Sequence, residues 1–357
     1  MESSAWVQKA IKAINADFNR SADTHLIRLD LPALKGINLY LKDESTHPTG
    51  SLKHRLARSL FLYGLCNGWI KQGTTVIESS SGSTAVSEAY FARLLDLPFI
   101  AVIPKTTSQQ KIDKIKFYGG ECHLVEAKDI YAESYRLAKE LNGHYMDQFT
   151  FAERATDWRG NNNIAESIFS QMTHEPYPIP SWIVMSAGTG GTTATIGRYI
   201  RYGCLETKLC LADPENSVFY EAYQAYKNKD EHELTLNTSS RIEGIGRPRV
   251  EPSFIPAVID DAIKVKDECS LATVRVLERL INRKCGGSTG TNLFATLLKA
   301  EAMMKQGQQG SIVTLICDSG ERYRDTYYND QWLQQQGFNL QAKESLIEQF
   351  LTTGSFE

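Results

Sequence analysis

Short apolar runs alternate with helix-period segments along nearly the whole of this 357-residue chain, and loops of glycine and hydroxyl residues follow several of the runs. Strands are predicted at Leu26–Leu29, Ile37–Leu41, Thr74–Glu78, Phe99–Ile103, Cys122–Val125, Trp182–Met185, Leu209–Ala212, Ala262–Val265 and Ser311–Cys317. Helices are predicted over Trp6–Ala16, from Lys53 to about Leu65, from Ala85 to Leu95, and over Ser108–Tyr118 and Tyr131–Asn142. Three more should run to Tyr202, to Asn282 and, after a loop at Gly286–Gly290, to about Met304. Alternation of this kind builds βαβ units and a parallel sheet, so the expected class is α/β. Two stretches break the pattern: Thr150–Asn163, read as polar and irregular, and Glu215–Arg241, read as a solvated excursion around the charge run Lys227–Glu233.

Open parallel sheets bind ligands at the carboxyl ends of their strands, so the loops there carry the functional expectations. Gly188-Thr189-Gly190-Gly191-Thr192 opens a helix, where backbone N–H groups and a hydroxyl converge on an anion. It lacks a Walker lysine, and Thr193 stands where the dinucleotide fingerprint needs glycine, so a phosphate is expected and NAD is not. Ser80-Ser81-Gly82-Ser83-Thr84 is a second such loop, suited either to a carboxylate or simply to capping a helix. Asp318-Ser319-Gly320 ends the last strand, as a hydrogen-bonding site or as a turn. The turn Pro48-Thr49-Gly50, with Ser51 as the expected cap, places Lys53 in the first turn of a helix whose apolar face is Leu52, Leu56 and Leu60. A cation opposes the macrodipole there, and the same field favours the neutral amine that a nucleophile needs.

A net charge of −3 gives no basic footprint for nucleic acid or an anionic membrane. No apolar run is long enough to span a bilayer, and Met1–Trp6 has no signal-peptide character. The seven cysteines, an odd number with no C-x-x-C pair, suit free thiols in a reducing cytoplasm.

Together these loops resemble the β-family, or fold type II, of pyridoxal-phosphate enzymes, specifically the cysteine synthase and cystathionine β-synthase group, in the same order from Leu26 to Tyr323. The family motif N-P-x-G-S-x-K-x-R matches at His47–Arg55, which implies that Lys53 bonds the cofactor aldehyde. S-G-N-T matches Ser81-Gly82-Ser83-Thr84 at three of four positions and implies that Ser80, Ser81, Gly82 and Thr84, with Gln148 of the Gln148-Phe149 pair, bind the substrate carboxylate. G-T-G-G-T matches Gly188, Thr189, Gly190, Gly191 and Thr192 as the phosphate loop. S-G-E-R-Y matches Ser319–Tyr323 and implies that Ser319 faces the pyridine nitrogen, with Asp318 beside it as the alternative. Gly244-Ile245-Gly246 matches a glycine pair at the active-site mouth.

The resemblance implies two open parallel-sheet domains with pyridoxal 5'-phosphate between them. The expected division is a smaller mobile domain at 43–148, a larger cofactor-binding domain at 1–42 and 149–335, and a tail or helix at 336–357. It also implies an amino-acid substrate and a homodimer. Departures from the synthase pattern cluster where substrate and closure are controlled. His47, Thr49 and His54 replace the usual residues of the lysine loop, and Ser83 replaces the asparagine that supports the cofactor 3′-oxygen. The family's T-T-G-P-E segment is absent, and neither a haem-binding extension before the core nor paired regulatory modules after Tyr323 are expected. These departures favour elimination from L-cysteine, a cysteine desulfhydrase giving hydrogen sulfide, pyruvate and ammonia. A cysteine synthase is the alternative, a serine or threonine dehydratase a lesser one, and a non-catalytic binding protein the reading from another class.

Overall fold

The computed structural model describes residues 2–20, 23–160, 163–230 and 234–357. The N-terminal part contains α1 (Glu2–Asn19), β1 (His25–Leu29), β2 (Ile37–Asp43), α2 (Lys53–Cys66), β3 (Val76–Glu78) and α3 (Ser83–Leu94). It continues with β4 (Phe99–Pro104), α4 (Gln109–Phe117), β5 (Glu121–Val125), α5 (Ile130–Glu140) and β6 (His144–Tyr145). Then come α6 (Gln148–Ala155), α7 (Ile164–Met172), β7 (Trp182–Met185), α8 (Gly191–Tyr202), β8 (Lys208–Pro214) and α9 (Phe219–Asn228). The chain ends with β9 (Asp261–Val265), α10 (Asp267–Ile281), α11 (Gly287–Lys305), β10 (Gly310–Ile316), α12 (Asp330–Gln335) and α13 (Gln341–Thr353).

Two compact units result, one of Met1–Asp23 with His47–Asp157, the other of Thr24–Thr46 with Trp158–Glu357. The first therefore includes α1 and α6, whereas the sequence reading assigned both to the other unit. The reason is packing: Ala10 and Ile14 of α1 and Ala152 of α6 are buried in one cluster with Leu56, Leu60 and Phe61 of α2.

In the first unit a four-stranded parallel sheet runs in the order β5-β4-β3-β6. Its strands are covered on both faces, which is why they read as continuous apolar runs. Val76, Ala101 and Ile103 join the cluster with α1, α2 and α3, while Ile77 and Val102 alternate to the other face against Leu137 of α5. In the second unit the order is β1-β2-β10-β7-β8-β9, parallel except for the edge strand β1. Leu39, Leu41, Val184, Ile312 and Ile316 pack on one core with Leu271 and Leu277 of α10, Leu293 and Leu297 of α11, and Phe350 of α13.

Three sequence expectations need correction. The stretch Thr150–Asn163 is not irregular throughout, because α6 occupies its first part; Asp147, at φ 45, caps that helix by accepting the Thr150 N–H. The segment Glu215–Arg241 contains α9, whose buried Phe219, Ala222 and Tyr223 fall at i, i+3 and i+4. The charge run that masked this period ends at 231–233, outside the described residues. Gly286–Gly290 is not a loop: Gly287 to Gly290 form the first turn of α11. The glycine there serves helix packing, since a Cβ on Gly290 would lie 1.9 Å from the Ser270 carbonyl oxygen of α10.

Candidate active site

Strand order marks where open parallel sheets bind ligands before any side chain is considered. In the first unit, β3 to β5 run outward in one direction and β6 returns to the other side of β3. In the second, β7 to β9 run one way and β10 returns to the other side of β7. Crevices open at such reversals, at the carboxyl ends of the two strands that flank them. Those ends carry Ser79–Thr84 and Met146–Gln148 in the first unit, and Ser186–Thr192 and Cys317–Ser319 in the second. Every expected site residue except Lys53 and Gly244 thus falls at a reversal.

In the first unit, Thr84 Oγ1 donates to Gln148 Oε1 at 2.7 Å, so the structure joins two of the expected substrate residues across the reversal. The Ser80 hydroxyl accepts the Gly82 N–H at 3.2 Å and tightens the loop. Gly82, extended at φ −108, occupies the cap position of α3 without a side-chain cap bond. Ser83 is the first helical residue, so it is not the helix cap. Beneath the loop lies Glu78, which sequence reading passed over. It is fully buried and accepts the Ser79 N–H at 2.7 Å and the Gln148 N–H at 3.2 Å. Burial pushes its carboxyl well up from the usual range, against the pull of those bonds. An acidic residue closing an apolar strand was the available signal.

Lys53 is half-buried at the start of α2. Leu52, not Ser51, holds the cap position, and Ser51 Oγ accepts the Lys53 N–H at 3.3 Å. The turn before it is closed by Gly50 N–H to His47 O at 2.8 Å, with Gly50 at φ 76. The departures in this loop form one network. His47 stacks on His54 at 5.1 Å, and Thr49 Oγ1 lies 3.2 Å from His54 Nδ1 and 2.9 Å from Ser87 Oγ of α3. The lysine turn is thereby fastened to the helix that the serine loop opens.

In the second unit, Gly190 sits at φ 94, a conformation that disfavours L side chains, and a Cβ there would meet the Ser253 carbonyl oxygen at 2.5 Å. A Cβ on Gly188 would lie 2.2 Å from the Gly244 carbonyl oxygen, so the structure brings Gly244 against the loop. Gly190 caps α8 without a side-chain bond, and Thr189 Oγ1 accepts the Gly191 N–H at 3.3 Å. The Ser186 hydroxyl below is buried and has no hydrogen-bond partner among the described residues. Thr192 is half-buried at the rim. A cradle that no side chain fills, at a helix N-terminus, fits a phosphate. Asp318 Oδ2 accepts the Tyr323 hydroxyl at 2.8 Å and lies 3.9 Å from the Arg322 guanidinium, while its other oxygen is closed in by Gly286. Its carboxylate is committed to its own loop. Ser319 is half-buried, and its Oγ accepts the Glu321 N–H at 3.4 Å.

The family model described as pyridoxal-phosphate dependent enzyme matches residues 20–318. The chain is 58% identical to an L-cysteine desulfhydrase of Mycobacterium tuberculosis over 353 residues, covering 98% of this chain and 95% of that one. It is 30% identical to cystathionine beta-synthase of Rattus norvegicus over 84% of its own length and 52% of the relative's. It is 27% identical to a cysteine synthase of Dictyostelium discoideum, covering 91% and 86%. The crystal structure of an O-ureido-L-serine synthase superposes with a TM-score of 0.74 at 24% identity, covering 87% of this chain and 96% of that one.

Proposed function

Since this chain belongs to the pyridoxal-phosphate-dependent enzymes, we propose that it cleaves the carbon–sulfur bond of L-cysteine, giving hydrogen sulfide, pyruvate and ammonia. The observation that carries this reading is 58% identity to an L-cysteine desulfhydrase across nearly the whole of both chains. Bound pyridoxal phosphate supplies an electron sink for the pair released at Cα. The chain's own residues do the rest. Gly188–Thr192 hold the phosphate through backbone N–H groups and hydroxyls, and Ser319 offers a neutral hydroxyl to the ring nitrogen. Ser80, Ser81, Gly82, Thr84 and Gln148 hold the substrate carboxylate, with Gly244 at the rim. The Lys53 amine anchors the cofactor and, once freed, takes the Cα proton on Nζ. The Cβ–S pair leaves with sulfur, and water completes the conversion to pyruvate and ammonia.

The test supplies purified holoenzyme with L-cysteine, and separately with O-acetyl-L-serine and sulfide. Equal amounts of sulfide and pyruvate from L-cysteine are expected. Faster cysteine synthesis than elimination would overturn the assignment. A homodimer and a cytoplasmic setting belong to the same proposal; the seven free thiols agree with a reducing compartment, and sedimentation tests the dimer. No helix among the described residues is long and apolar enough to cross a membrane.

Ser83→Asn probes product choice. Ser83 lies at the first helical position of α3, where the synthases carry the longer amide. A longer donor at this position is expected to steady the loop and lower the ratio of pyruvate to cysteine formed by about fivefold, the effect of one hydrogen bond worth about 1 kcal/mol. A change in melting temperature with an unchanged product ratio would count against this role.

A further inference from the structure

Glu88, on α3, is as deeply buried as Glu78, and among the described residues neither of its oxygens meets an N–H or O–H donor. Glu78, its neighbour, is already occupied: Oε1 takes the N–H and Oγ–H of Ser79 at 2.7 and 3.1 Å, and Oε2 takes the Gln148 N–H at 3.2 Å. Ser79 Oγ is itself 2.6 Å from the Tyr145 hydroxyl, so Tyr145 feeds the same anion through Ser79. Three donated bonds stabilise charge on Glu78 and none stabilise it on Glu88. Two adjacent buried anions repel strongly, and one proton between the two carboxyls turns that repulsion into a hydrogen bond. The donor imbalance puts the proton on Glu88.

We propose that Glu88 is a positioning residue of the substrate site, a neutral acid whose hydrogen bond to Glu78 holds the carboxylate that fixes Ser79 and Gln148. This rests on the reading of Ser80–Thr84 and Gln148 as the substrate-carboxylate site. Burial raises the Glu88 carboxyl well above its usual range and Glu78 raises it further, while Lys53 on α2 acts in the opposite sense. The other titratable groups around the pair are Tyr145 and Asp147 at the end of β6, and His54 of α2, which packs on Phe91 one turn along α3. While Glu88 is protonated, the pair carries one negative charge beneath the loop. Loss of its proton as pH rises adds a second, which repels the substrate carboxylate and raises KM more than it lowers kcat.

The sign for stability follows from linkage. A carboxyl with raised affinity for its proton in the folded state stabilises the fold fully below the ordinary carboxyl range. That contribution fades as pH rises from there toward the folded value. Glu88→Gln keeps a donor for Glu78 and has no proton to lose. In the holoenzyme it is expected to flatten the fall of melting temperature as pH rises above the ordinary carboxyl range, and to remove the accompanying rise in KM for L-cysteine. Glu88→Leu, which has no donor, is expected to raise KM at neutral pH by about tenfold while changing kcat by less than about threefold. The proposal is overturned if Glu88→Gln melts with the parental pH slope, or if folded Glu88→Leu keeps the parental KM. Should the parent itself fail to cleave L-cysteine, the assigned reaction falls, and the melting slope of Glu88→Gln still decides where the proton resides.

Discussion

Lys53→Ala is expected to leave a folded protein that no longer cleaves L-cysteine, with turnover lowered by at least about a thousandfold, the range of a lost general base and covalent anchor together. The cofactor absorbance band at roughly 410–420 nm, which reports a lysine-bound cofactor, should vanish on reconstitution. The fold should persist because Lys53 is only half-buried and opens α2 without contributing to its apolar face, which is Leu56, Ala57, Leu60 and Phe61. Removing a cation from the first turn of a helix relieves an unfavourable interaction with the macrodipole, worth about 0.3–1 kcal/mol. Unchanged or slightly raised melting temperature together with lost turnover is therefore the expected pair. Retention of both band and turnover would move the chemistry to another amine.

Gly190→Asp should have the next largest effect. The new side chain needs a backbone conformation near φ 94 and collides with the Ser253 carbonyl and the Phe254 backbone. Its charge also enters the place proposed for the phosphate. Cofactor affinity should fall by at least about tenfold, or about 1.4 kcal/mol. Because this variant also strains the turn, Thr192→Val is the companion: it removes one hydroxyl from the rim and should weaken cofactor binding by about fivefold, near 1 kcal/mol, with no change in melting of the apoprotein. Fluorescence titration of apoprotein with cofactor measures both. Unchanged affinity in both variants would place the phosphate elsewhere.

Much of the candidate site was legible because its residues are local in sequence. A loop that must admit an anion shows as glycines and hydroxyls between a strand and a helix, and Gly188–Thr192 needs no knowledge of distant contacts. What stayed hidden depends on partners far along the chain. Gly290 read as a loop glycine because nothing local announces that the Ser270 carbonyl lies where its Cβ would be. The helix at Phe219–Asn228 was obscured by adjacent charges, although its buried positions have helical spacing. Glu78 shows in sequence only as an acidic residue closing an apolar strand, and nothing local pairs it with Glu88; burial side by side makes them a pair. His47, Thr49 and His54 counted as three departures from a motif, and they are one cluster.

The strand order also dictates a timetable for synthesis. Strand β2 pairs along its length with β10, Ile37 opposite Gly310 and Asp43 opposite Ile316. As the polypeptide leaves the ribosome, every segment of the first unit is available once Asp157 has emerged. The six-stranded sheet must wait for nearly all the rest, since its inner strand β10, lying between β2 and β7, is the last strand made. Until then β2 and β7 each present an unpaired parallel edge, the kind of surface on which nascent chains aggregate. A ribosome stalled between Asp157 and Gly310 should therefore display a protease-resistant first unit and a protease-sensitive remainder, and chaperone demand should peak over that interval.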